Sequence, residues 1–266
     1  MTHAERRAAL EAIAAEVRTC TACRLHEGRT NAVPGEGHPD TEVVFVGEGP
    51  GFNEDRLGRP FVGRAGDFLV ELLKSVQWRR DEVFITNVVK CRPPDNRDPQ
   101  PDEIAACRPY LERQLAAIDP ALVVTLGRYS MGMFMPGVRI SEAHGTVKPV
   151  DPATGAADAT AYALYHPAAA LRSTAVAEQS RADVAGVPAA LEASRARRAP
   201  HAADRATPEA RVVVPVAVSP SVTTMADLPL DPPAEPVRAA DVATQSVEVA
   251  APPQPDPAEQ SGMFQI

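Results

Sequence analysis

Four cysteines make up the whole thiol content of this 266-residue chain. Cys20 and Cys23 form one Cys-x2-Cys pair, while Cys91 and Cys107 stand apart from each other and from the pair. A tight turn presents the first two sulfurs to one centre, and the fold must bring in the other two. A zinc finger or ribbon would normally show a second close pair. Four thiolates arriving from different directions suit a cubane iron–sulfur cluster, whose irons each take one. The plain alternative is four unrelated buried thiols. In a reducing compartment a metal centre or buried thiols outrank disulfides.

Other residues of chemical interest sit singly. Gly47-Glu48-Gly49-Pro50-Gly51 allows a sharp bend and close backbone approach to a ligand. It is no P-loop, because no Gly-Lys-Ser/Thr follows, and its glycine spacing misses the dinucleotide fingerprint. Glu48, Glu54 and Asp55 place carboxylates at that turn, either for chemistry or as ordinary acids at a helix N-terminus. Asn87 ends an apolar run, as a bonded structural amide or as a reader of a ligand. His166-Pro167 follows another apolar run, and Phe61 lies between Pro60 and Val62 in a loop, where core packing is the default.

The elements that carry these residues follow from periodicity. Amphipathic or core-spaced helices are predicted over Ala4 to Arg18, Ala65 to Val76, Asp102 to Ile118 and Glu178 to Arg198, the last broken near Pro188. Short apolar strands are predicted over Thr41 to Gly47, Glu82 to Val89, Ala121 to Leu126 and Tyr162 to Tyr165. Strands alternating with helices make an α/β sandwich with a mainly parallel sheet. In such sheets ligands sit beyond the carboxyl ends of the strands, where the glycine turn, Asn87, Cys91 and His166 would converge.

Composition sets the limits of the folded part. The formal net charge is −8, yet residues 1–199 carry 24 Lys and Arg against 26 Asp and Glu, so most of the excess lies beyond them. Residues 200–266 hold 12 of the 27 prolines and a single aromatic, Phe264, and read as a disordered acidic tail. The near-neutral, Arg-rich remainder is free to carry a basic face. No apolar run is long enough to span a membrane, and the N-terminus lacks a secretory pattern, so a cytoplasmic protein is expected.

Taken in order, EVVFVGEGPGFNED, GRPFVGRAG, ITNVVKCRPPDNRDP and YHPAAALR, together with the four cysteines, resemble the type-4 uracil-DNA glycosylases. The likeness runs from Cys20 to the helix before Arg198. It implies a three-layer α/β/α sandwich, uracil-containing DNA as substrate, cleavage of the N-glycosidic bond, and action as a monomer. Cys20, Cys23, Cys91 and Cys107 would hold a [4Fe–4S] cluster. Phe61 would stack on the extruded uracil, Asn87 would read its polar edge, and Gly47 to Gly49 would line the pocket. His166 would sit by the uracil O2, Arg172 would contact phosphate, and thymine would be excluded near Glu54. Many relatives in the wider superfamily place a water-orienting Asp where this chain has Gly49, which leaves Glu48 and Glu54 as the carboxylates for that task. The covalently linking variant of the family carries a His-containing insert near GRPFVG that is missing here.

Two other readings compete. One is an iron–sulfur DNA-binding protein without catalysis; the other is a zinc-stabilised acyl or nucleotide-sugar enzyme, which lacks a nucleophile motif. At the far end, Gln260, Met263 and Phe264 resemble the short peptides that dock into bacterial sliding clamps, with the tail supplying reach.

Overall fold

A computed structural model describes residues 1–156 and 158–205. Gln260, Met263, Phe264 and the tail beyond residue 205 lie outside the described residues. The strands are β1 (Glu36–Gly37), β2 (Val43–Gly47), β3 (Phe84–Asn87), β4 (Leu122–Leu126), β5 (Val147–Pro149) and β6 (Thr160–Leu164). Among the described residues ten α-helices accompany them: α1 (His3–Thr19), α2 (Leu25–Gly28), α3 (Phe52–Leu57), α4 (Arg64–Ser75), α5 (Pro101–Ile118), α6 (Arg128–Phe134), α7 (Ile140–Ala143), α8 (Pro167–Ala170), α9 (Thr174–Val184) and α10 (Val187–Arg205).

The strands form one sheet in the order β1-β3-β2-β4-β6-β5, parallel through its four central members and antiparallel at both edges. Every residue of the four central strands is buried, because helices cover both faces. Side chains alternate between two cores. Val44, Val46, Val123 and Ala161 pack with residues of α1, α5 and α6, whereas Val43, Phe45, Val124 and Leu164 pack with residues of α4, α9 and α10. The three-layer expectation therefore holds.

The expected strands all form: three are trimmed by one or two residues at their ends, the fourth starts two residues earlier and ends one residue sooner, and two short edge strands add to them. The last predicted helix is two, α9 and α10, separated at Ala185 and Gly186; Pro188 falls in the first turn of α10, where its missing N–H costs nothing. α10 runs through Arg205 and so passes the domain boundary expected at residue 199.

Helix α5 delivers Cys107 and depends on its start. Pro101 opens it, and Glu103, whose side chain is fully buried, accepts from the Gln100 N–H at 2.8 Å and from both Arg97 nitrogens at 2.6 and 2.9 Å. Replacing Glu103 with Ala leaves these donors without their acceptor, at a cost of about 2 kcal/mol. A matching fall in urea unfolding free energy is the expected outcome, and an unchanged midpoint would refute this view of the cap.

Candidate active site

The carboxyl ends of the four parallel strands open into one cleft of about 600 Å³. After β2 come Glu48, Gly51 and Glu54; after β3, Asn96 and Asp98; after β4, Gly127 and Arg128; after β6, Tyr165, His166 and Arg172. Phe61, on the loop between α3 and α4, completes the wall beside His166, their ring centroids 5.7 Å apart.

Asn87 does not itself line the cleft but is buried beside Phe61, which does. The parallel register sets Asn87 directly opposite Gly47. A Cβ on Gly47 would collide with the Asn87 Oδ1 and come within 2.6 Å of the Phe61 Cζ, so the absence of a side chain there makes the room that both occupy. Asn87 is 1% exposed, and its Oδ1 is the one buried side-chain nitrogen or oxygen among the described residues without a hydrogen-bond partner. An unpaired buried carbonyl oxygen is costly, which marks it as a group awaiting a donor.

Phe61 is held under strain. Its φ of 49° lies in the left-handed region that an aromatic residue seldom adopts. Arg80, from the turn before β3, donates to the Phe61 carbonyl at 3.0 Å and to the Pro60 carbonyl, while Glu36 on β1 neutralises it at 2.9 Å. On the other side, Glu54 accepts from the Val62 and Gly63 N–H groups at 2.9 and 3.1 Å through Oε1, and from Gly51 at 3.2 Å through Oε2. Both Glu54 oxygens are thus engaged in shaping the loop. Arg80 and Glu36 were not singled out from the sequence, because each is one charge among many until the fold brings them together.

Glu48 differs from Glu54. Its side chain makes no hydrogen bond among those of the described residues, and burial raises its pKa above the ordinary carboxylate value, with Asp98 adding to the rise and Arg128 opposing it. Gly49 lies against Val89 and Pro93 of the cysteine loop, and its neighbours Glu48 and Gly51 supply the lining of the cleft.

His166 caps α8, its Nδ1 accepting from the Ala168 N–H at 3.1 Å. With Nδ1 used as acceptor, a neutral ring carries its proton on Nε2. Burial, helped by the Arg172 charge and opposed by Glu54, pushes its pKa down to about 4. Gly127, at φ 88°, lets the β4 loop approach this ring, since a Cβ there would lie 2.9 Å from the His166 Cβ.

The four cysteines line a second, smaller chamber beside the cleft, closed by Val17, His26 and Tyr110. Cys91 and Cys107 are buried, and Cys20 and Cys23 partly so. Arg29 donates to the Cys91 Sγ at 3.1 Å, the Lys90 N–H to the Cys107 Sγ at 3.2 Å and the Ala22 N–H to the Cys20 Sγ at 3.4 Å. Among the described residues no three His, Cys, Asp or Glu side chains are grouped closely enough to hold a single metal ion. Lys90 joins the two regions. Fully buried, its Nζ donates to the Thr86 Oγ1 at 2.6 Å and to the Asn87 carbonyl and Gln114 Oε1 at 2.8 Å. Lysine in a sequence suggests a surface, so nothing marked this one as internal.

Comparison with known proteins gives a consistent picture. The profile of the Uracil DNA glycosylase superfamily matches residues 34–185. A type-4 uracil-DNA glycosylase of Archaeoglobus fulgidus is 45% identical over 179 residues, covering 65% of this chain and 89% of the relative. One of Thermotoga maritima is 51% identical over 142 residues, covering 53% and 74%. One of Sulfurisphaera tokodaii is 61% identical over 122 residues, covering 46% of this chain and 56% of the relative.

The imidazole makes a direct check of the cleft. Across pH 8 to 5, nitrogen-15 spectra should show His166 neutral with the proton on Nε2, and a titration near pH 6.5 would refute the assignment. The unfolded chain takes up this proton near pH 6.5 and the folded chain only near 4. The group's stability contribution is therefore full above pH 6.5 and declines as pH falls toward 4.

Proposed function

The chain belongs to the uracil-DNA glycosylase superfamily and, within it, to the type-4 enzymes, and on that premise we propose that it excises uracil from DNA, leaving the free base and an abasic site. The observation that carries the reading is the orphaned Asn87 Oδ1, buried beside Phe61. Uracil offers an N3–H donor to that oxygen and an O4 acceptor to the amide nitrogen. Cytosine reverses both, so it would leave buried polar groups unpaired.

A base inside the duplex is out of reach, so the nucleotide is extruded into the cleft at a cost of a few kcal/mol, least where uracil is mispaired or unpaired. Phe61 covers the face of the extruded base, and the clamp from Arg80 and Glu54 fixes the ring beforehand, so little ordering is left for the moment of binding. Arg172 at the mouth supplies a cation for a flanking phosphate.

In the reaction the C1′–N1 bond breaks, and its electron pair passes into the uracil ring toward O2. His166 donates its Nε2–H to that oxygen as charge develops. A neutral imidazole suits this role, since it stabilises the anion without first giving up a proton. Water adds to C1′, and its proton passes to Glu48, whose raised basicity and free side-chain oxygens favour it over Glu54 as the base; that proton then passes through solvent to the uracil anion, which leaves as the neutral base. Glu54 acts by positioning the Phe61 loop and Gly51.

Cys20, Cys23, Cys91 and Cys107 fit a [4Fe–4S] group. The donor set is wholly thiol apart from nearby His26, and N–H and guanidinium donors already point at the sulfurs, as suits negative thiolates. Bound there, the cluster supplies a cross-link between the end of α1, the loop after β3 and helix α5. Among the described residues no helix is long and apolar enough to cross a membrane.

The test is release of uracil from a labelled oligonucleotide, read as alkali-induced strand scission. Wild type should cut, Asn87→Ala should lose about 10²–10⁴-fold in kcat/KM, and Glu48→Gln should lower kcat with little change in KM. Full activity of Asn87→Ala would overturn the base-reading assignment, and absence of scission by iron-loaded wild type would favour a DNA-binding role without catalysis. Iron and acid-labile sulfide near four per chain, lost in Cys107→Ser, is the expected analysis; stoichiometric zinc would refute the cluster.

A further inference from the structure

Phe52 is the only aromatic side chain among the large apolar residues exposed in the described chain, with 60% of its surface open. It is the first residue of α3 and follows Gly51 on the cleft wall. The guanidinium of Arg92, from the loop after β3, lies over its ring, 5.3 Å from the centroid. Arg92 in turn donates through Nε to the Asn96 Oδ1 at 2.8 Å, and Asn96 is also on the cleft wall. Arg92 has no carboxylate partner among the ion pairs of the described residues, unlike Arg97, which Glu103 holds, and Arg128, which Asp98 holds.

The loops after β2 and β3 thus present an aromatic ring, fixed from one side by an unneutralised cation, on the lip of the cleft. Neither residue is needed to bury the core or to shape the pocket for the extruded base. An exposed ring beside a guanidinium that has no carboxylate partner is the arrangement by which proteins hold unpaired bases, because every base has a π-face and the neighbouring cation draws in the strand.

We propose that Phe52 and Arg92 form a stacking platform for an unpaired base adjoining the extruded uracil, and that it engages single-stranded DNA. In a duplex that neighbouring base is paired and stacked within the helix, so it reaches the ring only by a second costly extrusion. The platform therefore adds affinity for single strands and leaves duplex binding to the phosphate contacts. This inference rests on the excision reading for the location of the DNA strand.

The test uses full-length, iron-loaded protein and oligonucleotides carrying a tetrahydrofuran abasic analogue, so that binding is read apart from catalysis. Phe52→Leu keeps an apolar side chain and removes the ring; Phe52→Trp restores a larger one. Anisotropy should show Phe52→Leu weakening the single strand ~10-fold, with duplex binding changed less than about twofold and Phe52→Trp close to wild type. A 2-aminopurine placed on one side or the other of the analogue should be quenched by wild type and Phe52→Trp, and stay bright with Phe52→Leu. Equal losses on single strand and duplex, or wild-type binding by Phe52→Leu, would overturn the proposal. Uracil release by wild type is measured in parallel. Its absence would remove the excision reading, while anisotropy and quenching still decide whether the platform holds a base.

Discussion

The cleft depends on a close approach at one backbone position. Parallel pairing of β2 with β3 sets Gly47 against Asn87, and only a residue without Cβ lets the Asn87 amide and the Phe61 ring meet over it. The register is not adjustable, since a slip by one residue would turn Val46 and Phe45 from one core to the other. The sheet that makes the core thus also fixes the base-reading amide, and the same strand ends set His166 and Glu48 around the remaining space.

Around that contact the structure holds groups in states they would not choose alone. Phe61 keeps a left-handed backbone because Arg80 and Glu54 bind the peptide groups on both sides of it. The Asn87 oxygen stays without a donor, and Lys90 remains buried because three oxygens receive its Nζ. Each arrangement carries a cost of order 1–3 kcal/mol unless compensated. Their gathering at the ends of four strands is what distinguishes a prepared site from ordinary packing. Lys90 also links the carbonyl of Asn87 to the chamber of cysteines, through its own N–H on the Cys107 sulfur.

The central strands were legible in the sequence because a strand covered on both faces is a nearly unbroken apolar run, as in VVFVG. The edges were not: Glu36–Gly37 and Val147–Pro149 are short and exposed or half-exposed, so burial leaves no pattern in them. Glu48, Phe61, Asn87 and His166 were found as residues, and the structure brings Glu48, Phe61 and His166 to one cleft, with Asn87 buried beside Phe61. Their division of labour was less legible. Glu48 and Glu54 are the same residue type a few positions apart, and only the hydrogen bonds of Glu54 to Gly51, Val62 and Gly63 separate a loop-holding carboxylate from a free one. Arg80 was invisible because its partners, Glu36 and the carbonyls of Pro60 and Phe61, are remote in sequence. Phe52 was passed over within a segment read for its glycines and carboxylates.

The central claim is that the vacant acceptor of Asn87 is the reader of uracil. Titrating iron-loaded wild type with free uracil, while following the side-chain amide resonances of Asn87, tests it without any chemical step. Saturable movement of those resonances is expected with uracil, and none with cytosine at the same concentrations. Equal movement with both bases, or an unmoved Asn87 while uracil binds elsewhere, would contradict it.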